Sequence, residues 1–216
     1  MSSSPLFPLR RLTIALVLAL SAIFSLALPA DATPPGIPSP AEAEAEEMLA
    51  ELTIAPEGSQ SQYSRAKFPH WITVSGTCNT REWVLRRDGM GVQTGPDCSP
   101  TSGSWLSPYD GATWFDASDV DIDHVVPLAE AWRSGASEWT QPQRQSFAND
   151  LNGPQLIAVT DNLNQAKGDR SPDQWRPPLM SYWCVYASMW TDVKHTWKLT
   201  ATTTEVAALH DMLRPC

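Results

Sequence analysis

Four cysteines, Cys78, Cys98, Cys184 and Cys216, stand downstream of an apolar run from Leu12 to Leu28, and together these features restrict the folds open to the chain. Arg10 and Arg11 precede the run and Ala30-Asp31-Ala32 follows it. That is the order of a secretory signal: basic region, apolar core, small-residue cleavage site. A run of this length lies at the lower limit for crossing a bilayer, and no later stretch is long and apolar enough to do so. The expectation is that residues 1–32 are removed, leaving a secreted, extracellular chain with no stable membrane association. In such a compartment an even set of cysteines forms disulfides. No pair has C-x-x-C spacing, which disfavours a zinc knuckle.

Helical spacing selects among the three possible connectivities. Trp183, Tyr186, Ala187, Trp190, Val193 and Trp197 recur at helical intervals between Ser181 and Leu199. Thr202-Thr203-Thr204-Glu205 resembles a capping box, and Val206, Leu209 and Leu213 continue a second helix. The first helix runs roughly 27 Å and the second, with its extended tail, covers about the same, so an antiparallel hairpin brings Cys184 beside the far end of the second. This pairs Cys184 with Cys216 and leaves Cys78 for Cys98.

A chain of 216 residues is one domain's worth, long enough to bury a core without relying on disulfides alone. The formal charge of −9 excludes a uniformly basic, phosphate-seeking body. Much of the acidity sits in Glu42, Glu44, Glu46, Glu47, Glu51 and Glu57; residues 60–216 carry 13 basic and 17 acidic side chains, a balance of −4. A local basic site therefore stays open. Ten Trp is a high number, and aromatics this dense read first as core and only second as a stacking surface.

Along the mature chain, residues 33–40 hold four prolines and read as a flexible leader, with a single domain over residues 41–216. Ala41 to Leu52 reads as a helix and Leu52 to Ile54 as a short strand. Asn79 to Asp88 suits a helix with Trp83 and Val84 inward, and Gly89 to Gly103 reads as a turn-rich loop. Trp105-Leu106, Ala112 to Phe115, Val120 to Val126 and Leu156 to Val159 read as strands. Ala129 to Ser134, Pro142 to Asp150 and Thr160 to Lys167 read as helices. The layout is mixed α+β.

The chemistry concentrates in two segments. Strand alternation over Asp121-Ile122-Asp123-His124 puts the two carboxylates on one face and Ile122 with His124 on the other, until Pro127 ends the strand. Carboxylates offer hard oxygen ligands to a divalent cation, and a His takes a proton near neutral pH. Downstream, Leu156 to Val159 leads into a helix with Asn164 and Lys167 three residues apart on one face. Asn adds a neutral oxygen ligand, and Lys a mobile cation for a phosphate.

Asp123-His124-x-x-Pro127 followed by Asn164-x-x-Lys167 resembles the HNH (ββα-metal) nuclease motif. The chain as a whole resembles secreted actinobacterial HNH endonucleases related to the C-terminal region of GmrSD-type restriction enzymes. Tyr63-Ser64-Arg65, Phe68-Pro69-His70-Trp71, Cys78-Asn79-Thr80-Arg81, Phe147-Ala148-Asn149-Asp150-Leu151 and Pro172-Asp173-Gln174-Trp175 support it, and it covers about residues 41–216.

The resemblance implies a small ββα-metal core inside a disulfide-supported domain that acts as a monomer. It implies His124 as general base, with Asp123 and Asn164 on one divalent metal and Asp121 as a further candidate ligand. The residue that supports the base is Asn149 or Asn152. An Asn at the last motif position favours Mg²⁺ or Mn²⁺ over Zn²⁺. Lys167, Arg81, Arg170 and Arg65 are the candidate phosphate contacts. The implied activity is hydrolysis of DNA, with RNA as a further candidate, and little sequence preference. The rival reading is a secreted Trp-rich module that binds cell-wall glycan without catalysis.

Overall fold

The computed structural model describes Met1 and residues 42–214. The signal segment after Met1, the leader and Cys216 lie outside the described residues. The described elements from Glu42 onward belong to one compact unit. In order they are α1 (Glu42–Glu51), β1 (Thr73–Ser75), β2 (Cys78–Asn79), α2 (Thr80–Asp88), β3 (Met90–Thr94), β4 (Pro100–Leu106), β5 (Thr113–Trp114) and β6 (Val120–His124). There follow α3 (Leu128–Arg133), α4 (Gln141–Ala148), β7 (Leu156–Thr160), α5 (Asp161–Lys167), α6 (Trp183–Thr196) and α7 (Thr203–Leu213). The class is mixed α+β, as the residue patterns indicate.

Three small antiparallel sheets carry the strands: β1-β2, β3-β4-β5 and β6-β7. The last pair positions the chemistry. Its register runs from Val120 opposite Thr160 to His124 opposite Leu156, so Asp123 faces Ile157 across the ladder. All five residues of β7 are buried, which explains its unbroken apolar sequence. Residues 125–155, with α3 and α4, separate the two strands, and β7 passes directly into α5. Thr160 precedes α5 but makes no cap bond; its hydroxyl instead donates to Asp110 and accepts from the Trp114 indole. Gly168 ends α5 at φ 58°, a conformation that favours glycine.

Two hydrophobic clusters flank this pair. The smaller holds Val84, Leu85, Trp105, Ile122 and Leu156. The larger gathers α1, α3, α4, α6 and α7 around Phe147, Tyr186, Trp190 and Leu209. The capping box of α7 is present, formed by Thr202 and Glu205. Glu205 also receives the buried Lys194 ammonium of α6, which reaches Glu130 of α3 as well. One lysine thus fastens the C-terminal helical pair to the rest of the core.

Several expectations shift. The segment Gly89 to Gly103 is mostly a β-hairpin of β3 and β4 rather than a loop. Leu52 to Ile54 forms no strand, only a single bridge from Ile54 to Ala201. The strand expected over Val120 to Val126 stops at His124. In α2, Leu85 joins Val84 in the interior, while Trp83 is half-buried under Arg86.

Cys78 and Cys98 form the expected disulfide, tying the tip of the β3-β4 hairpin to the strand that enters α2. Cys184 is also disulfide-bonded; Cys216, its expected partner, lies outside the described residues. Replacing Cys78 and Cys98 together with serine is expected to cost roughly 2–4 kcal/mol in the chain-entropy account. Urea unfolding at equilibrium measures this, and an unchanged midpoint would contradict it.

Candidate active site

The pleat of β6 sorts its side chains as alternation requires. Asp121 and Asp123 face α5. Ile122 and His124 face the other way, Ile122 into the smaller core and His124 against Trp71. Asp123 is buried. The Lys167 ammonium donates to both of its oxygens at 2.8 Å, and the Tyr109 hydroxyl donates to Oδ2 at 2.5 Å. Lys167 also donates to the His124 carbonyl at 2.8 Å and is fully buried. Burial pushes the Asp123 carboxyl up and the Lys167 ammonium down, and each opposes that shift in its partner. Lys167 is thus placed inside the fold, on the carboxylate, and not on a surface that a phosphate would touch.

His124 lies at the end of β6, 6% exposed. Its Nε2 is 2.9 Å from the carbonyl oxygen of Ala148, at the end of α4. A carbonyl only accepts, so Nε2 carries the proton and Nδ1 holds the free lone pair. Burial, with smaller contributions from Arg65, His70 and Lys167, pushes the imidazole down to about 3 against the pull of the Ala148 carbonyl. The ring is neutral at neutral pH.

A cavity of about 440 Å³ opens beside this pair, lined by Asp123, His124 and Asn164 together with Tyr63, Arg65 and Asp169. Asp121 does not line it; its Oδ2 accepts from Asn164 Nδ2 at 3.1 Å. That amide orientation leaves Asn164 Oδ1 for another partner. A carboxylate offers about four lone-pair positions, and Lys167 and Tyr109 occupy three on Asp123. One position on Asp123 Oδ1 remains. Asp123 Oδ1 and Asn164 Oδ1 thus offer oxygen donors beside the His124 Nδ1 lone pair, and oxygen donors suit a hard divalent cation. Among the described residues no group of three or more His, Cys, Asp or Glu forms a metal cluster.

The four candidate phosphate contacts separate. Arg65 is exposed on the cavity rim, and its Nε donates to His70 Nε2 at 3.2 Å, which leaves both terminal nitrogens open. Arg81 instead donates to the carbonyls of Ala117 and Val120, bracing the start of β6. Arg170 is exposed, bonds to the Ala166 carbonyl and does not line the cavity.

The two asparagines differ as well. Asn149 caps the end of α4 and accepts from the Ile72 amide and the Thr80 hydroxyl, while its amide donates to the Pro69 and Gln145 carbonyls. Asn152 is exposed, and its backbone amide bonds to Asp150.

Gln155 was not singled out by sequence reasoning. It is fully buried, its side-chain amide bonds reciprocally with the Val126 amide and carbonyl, and its own carbonyl accepts from Val125. The turn that follows His124 is held by this residue. The only local signal is an amide side chain at the mouth of an otherwise apolar strand.

The model of the C-terminal domain of GmrSD restriction endonucleases matches residues 99–212. This span contains β6, β7, α5 and every cavity-side residue described above except those of the Tyr63–Arg81 segment. The chain belongs to this family, which points to a nuclease-type activity. An uncharacterized secreted protein of Arthroderma benhamiae is 63% identical over 198 residues, covering 91% of this chain and 96% of that protein. The relative is fungal, so the resemblance to actinobacterial enzymes narrows to the family itself. No solved structure matches the chain. Among the described residues no helix is long and apolar enough to cross a membrane.

Proposed function

We propose that the protein is a secreted, metal-dependent endonuclease of the HNH type that hydrolyses DNA phosphodiesters, and RNA as a second substrate, with little sequence preference. The observation that carries this reading is the pairing of a neutral, Nε2-protonated His124 with an oxygen donor set, Asp123 and Asn164, on the wall of one cavity. The antiparallel β6-β7 pair leading into α5 supports the reading, because an HNH site is built on two strands and a helix.

In this reading His124 Nδ1 takes the proton of the attacking water, and the Ala148 carbonyl stabilises the imidazolium that forms. Asp123 Oδ1 and Asn164 Oδ1 would hold one Mg²⁺ or Mn²⁺, with Asp121 orienting the Asn164 amide. Bound there, the cation would neutralise charge on the scissile phosphate and the departing 3′ oxygen. Lys167 and Tyr109 fix the Asp123 carboxylate, a positioning role in place of the phosphate contact expected for Lys167. Gln155 and Asn149 hold the backbone on either side of the base. Arg65 grips a substrate phosphate from the rim. With few cations open to substrate, affinity for nucleic acid is modest and falls with salt.

The glycan-binding alternative needs exposed aromatic platforms. None of the ten Trp is exposed, and Trp105 and Trp190 are fully enclosed. A zymogram of the secreted protein on DNA-containing gels, with Mg²⁺ or with EDTA, tests the proposal. Clearing in Mg²⁺ that EDTA abolishes is expected. No clearing in either condition, with retention on insoluble cell-wall polysaccharide, would overturn it.

A further inference from the structure

Trp71 stacks on the His124 imidazole, with ring centroids 5.4 Å apart and planes 26° from parallel. Trp71 also has φ 57°, a left-handed conformation that a bulky side chain rarely adopts and that persists only where the surroundings enforce it. The Asn149 carboxamide donates to the Pro69 carbonyl on one side of Trp71 and accepts from the Ile72 amide on the other. The same α4 terminus supplies the Ala148 carbonyl that receives His124 Nε2. One helix end therefore grips the imidazole edge directly and its face through the indole. His70 adds a perpendicular contact to the indole and is itself held by the Phe68 carbonyl.

We infer that Trp71 is a positioning residue for the base, its indole plane fixing the ring orientation in which His124 presents Nδ1 to the cavity. The inference rests on the reading of His124 as the base. Two constraints are needed for this because a single hydrogen bond at Nε2 leaves the ring free to swing about that bond. A flat partner against one face removes the remaining freedom. A merely space-filling residue would need volume but not planarity, and that difference is what the test uses.

The experiment compares Trp71→Phe and Trp71→Leu with the wild-type protein. Leu fills much of the space without a plane; Phe restores a plane at the same backbone position. Initial rates on supercoiled plasmid DNA in Mg²⁺ give kcat and KM, and long-range ¹H–¹⁵N NMR of the metal-free proteins reads the His124 tautomer.

Trp71→Leu is expected to lose about tenfold or more in kcat with KM within about twofold. Trp71→Phe is expected to stay within about threefold of wild type. The ¹⁵N shifts should show a single Nε2–H tautomer in the wild type and the Phe variant, and an averaged pattern in the Leu variant. Thermal melts of all three separate a loss of folded protein from a loss of turnover. A folded Leu variant with wild-type kcat and the same single tautomer overturns the inference. So does an equal kcat loss in both variants that follows their loss of folded protein. A wild-type protein that cleaves no phosphodiester overturns the functional reading beneath it, an outcome distinct from either.

Discussion

His124→Ala lowers turnover by about 10²–10⁴-fold, the range expected when a positioned general base is lost. The effect falls on kcat. His124 neutralises no phosphate, so nucleic-acid affinity and its salt dependence stay at wild-type values. The fold survives the change. The hydrogen bond to Ala148 and the stack on Trp71 are lost, but His124 itself belongs to neither hydrophobic cluster. Plasmid-cleavage rates and oligonucleotide titrations on the purified variant check both halves. A variant that turns over at the wild-type rate would remove His124 from the chemistry.

Lys167→Met destabilises the protein by roughly 3–5 kcal/mol, because it leaves the buried Asp123 carboxylate without its cation. The loss is larger than an exposed ion pair would give. Its pH dependence has a definite sign. Without Lys167 the folded-state carboxyl lies still higher above its unfolded value, so the folded protein binds a proton more readily than the unfolded chain. Stability of the variant relative to wild type therefore recovers as pH falls and the carboxyl protonates. The double variant Lys167→Met with Asp123→Asn should regain part of the loss, since no charge is then left unpaired. Urea unfolding of the three proteins between pH 7 and pH 5 measures this. A Lys167→Met penalty below about 1 kcal/mol would place the ammonium outside the interior.

How far the sequence revealed this arrangement depends on how local each feature is. β6, β7 and α5 are legible because an alternating strand with a proline soon after it, an unbroken apolar run and a short polar helix each leave a pattern within a few residues. The capping box at Thr202 and Glu205 was legible for the same reason. The β3-β4 hairpin was not. Most of β3 is exposed on both faces, so Met90–Thr94 lacks the apolar alternation that marks a half-buried strand.

Asn164 and Lys167 were placed on one helix face correctly, yet their different partners were hidden. Which carboxylate each meets depends on the β6-β7 register and on how α5 lies over it, and neither is written in the helix itself. Arg81 looked like a substrate contact because an Arg on a polar helix face does not announce that two carbonyls of a distant segment await it. Trp71 and Gln155 acquire their roles only through contacts with residues far along the chain.

In the proposed mechanism the neighbours His124 and Asp123 divide the labour, the base on one face of β6 and the charged cation ligand on the other. Calorimetric titration of Mg²⁺ into purified His124→Ala, beside Asp123→Ala and wild type, tests it most directly. His124→Ala is expected to bind Mg²⁺ as the wild type does, and Asp123→Ala, which loses a charged oxygen ligand, to bind it far more weakly. Loss of Mg²⁺ binding in His124→Ala, with binding retained in Asp123→Ala, would contradict it and make the histidine a ligand.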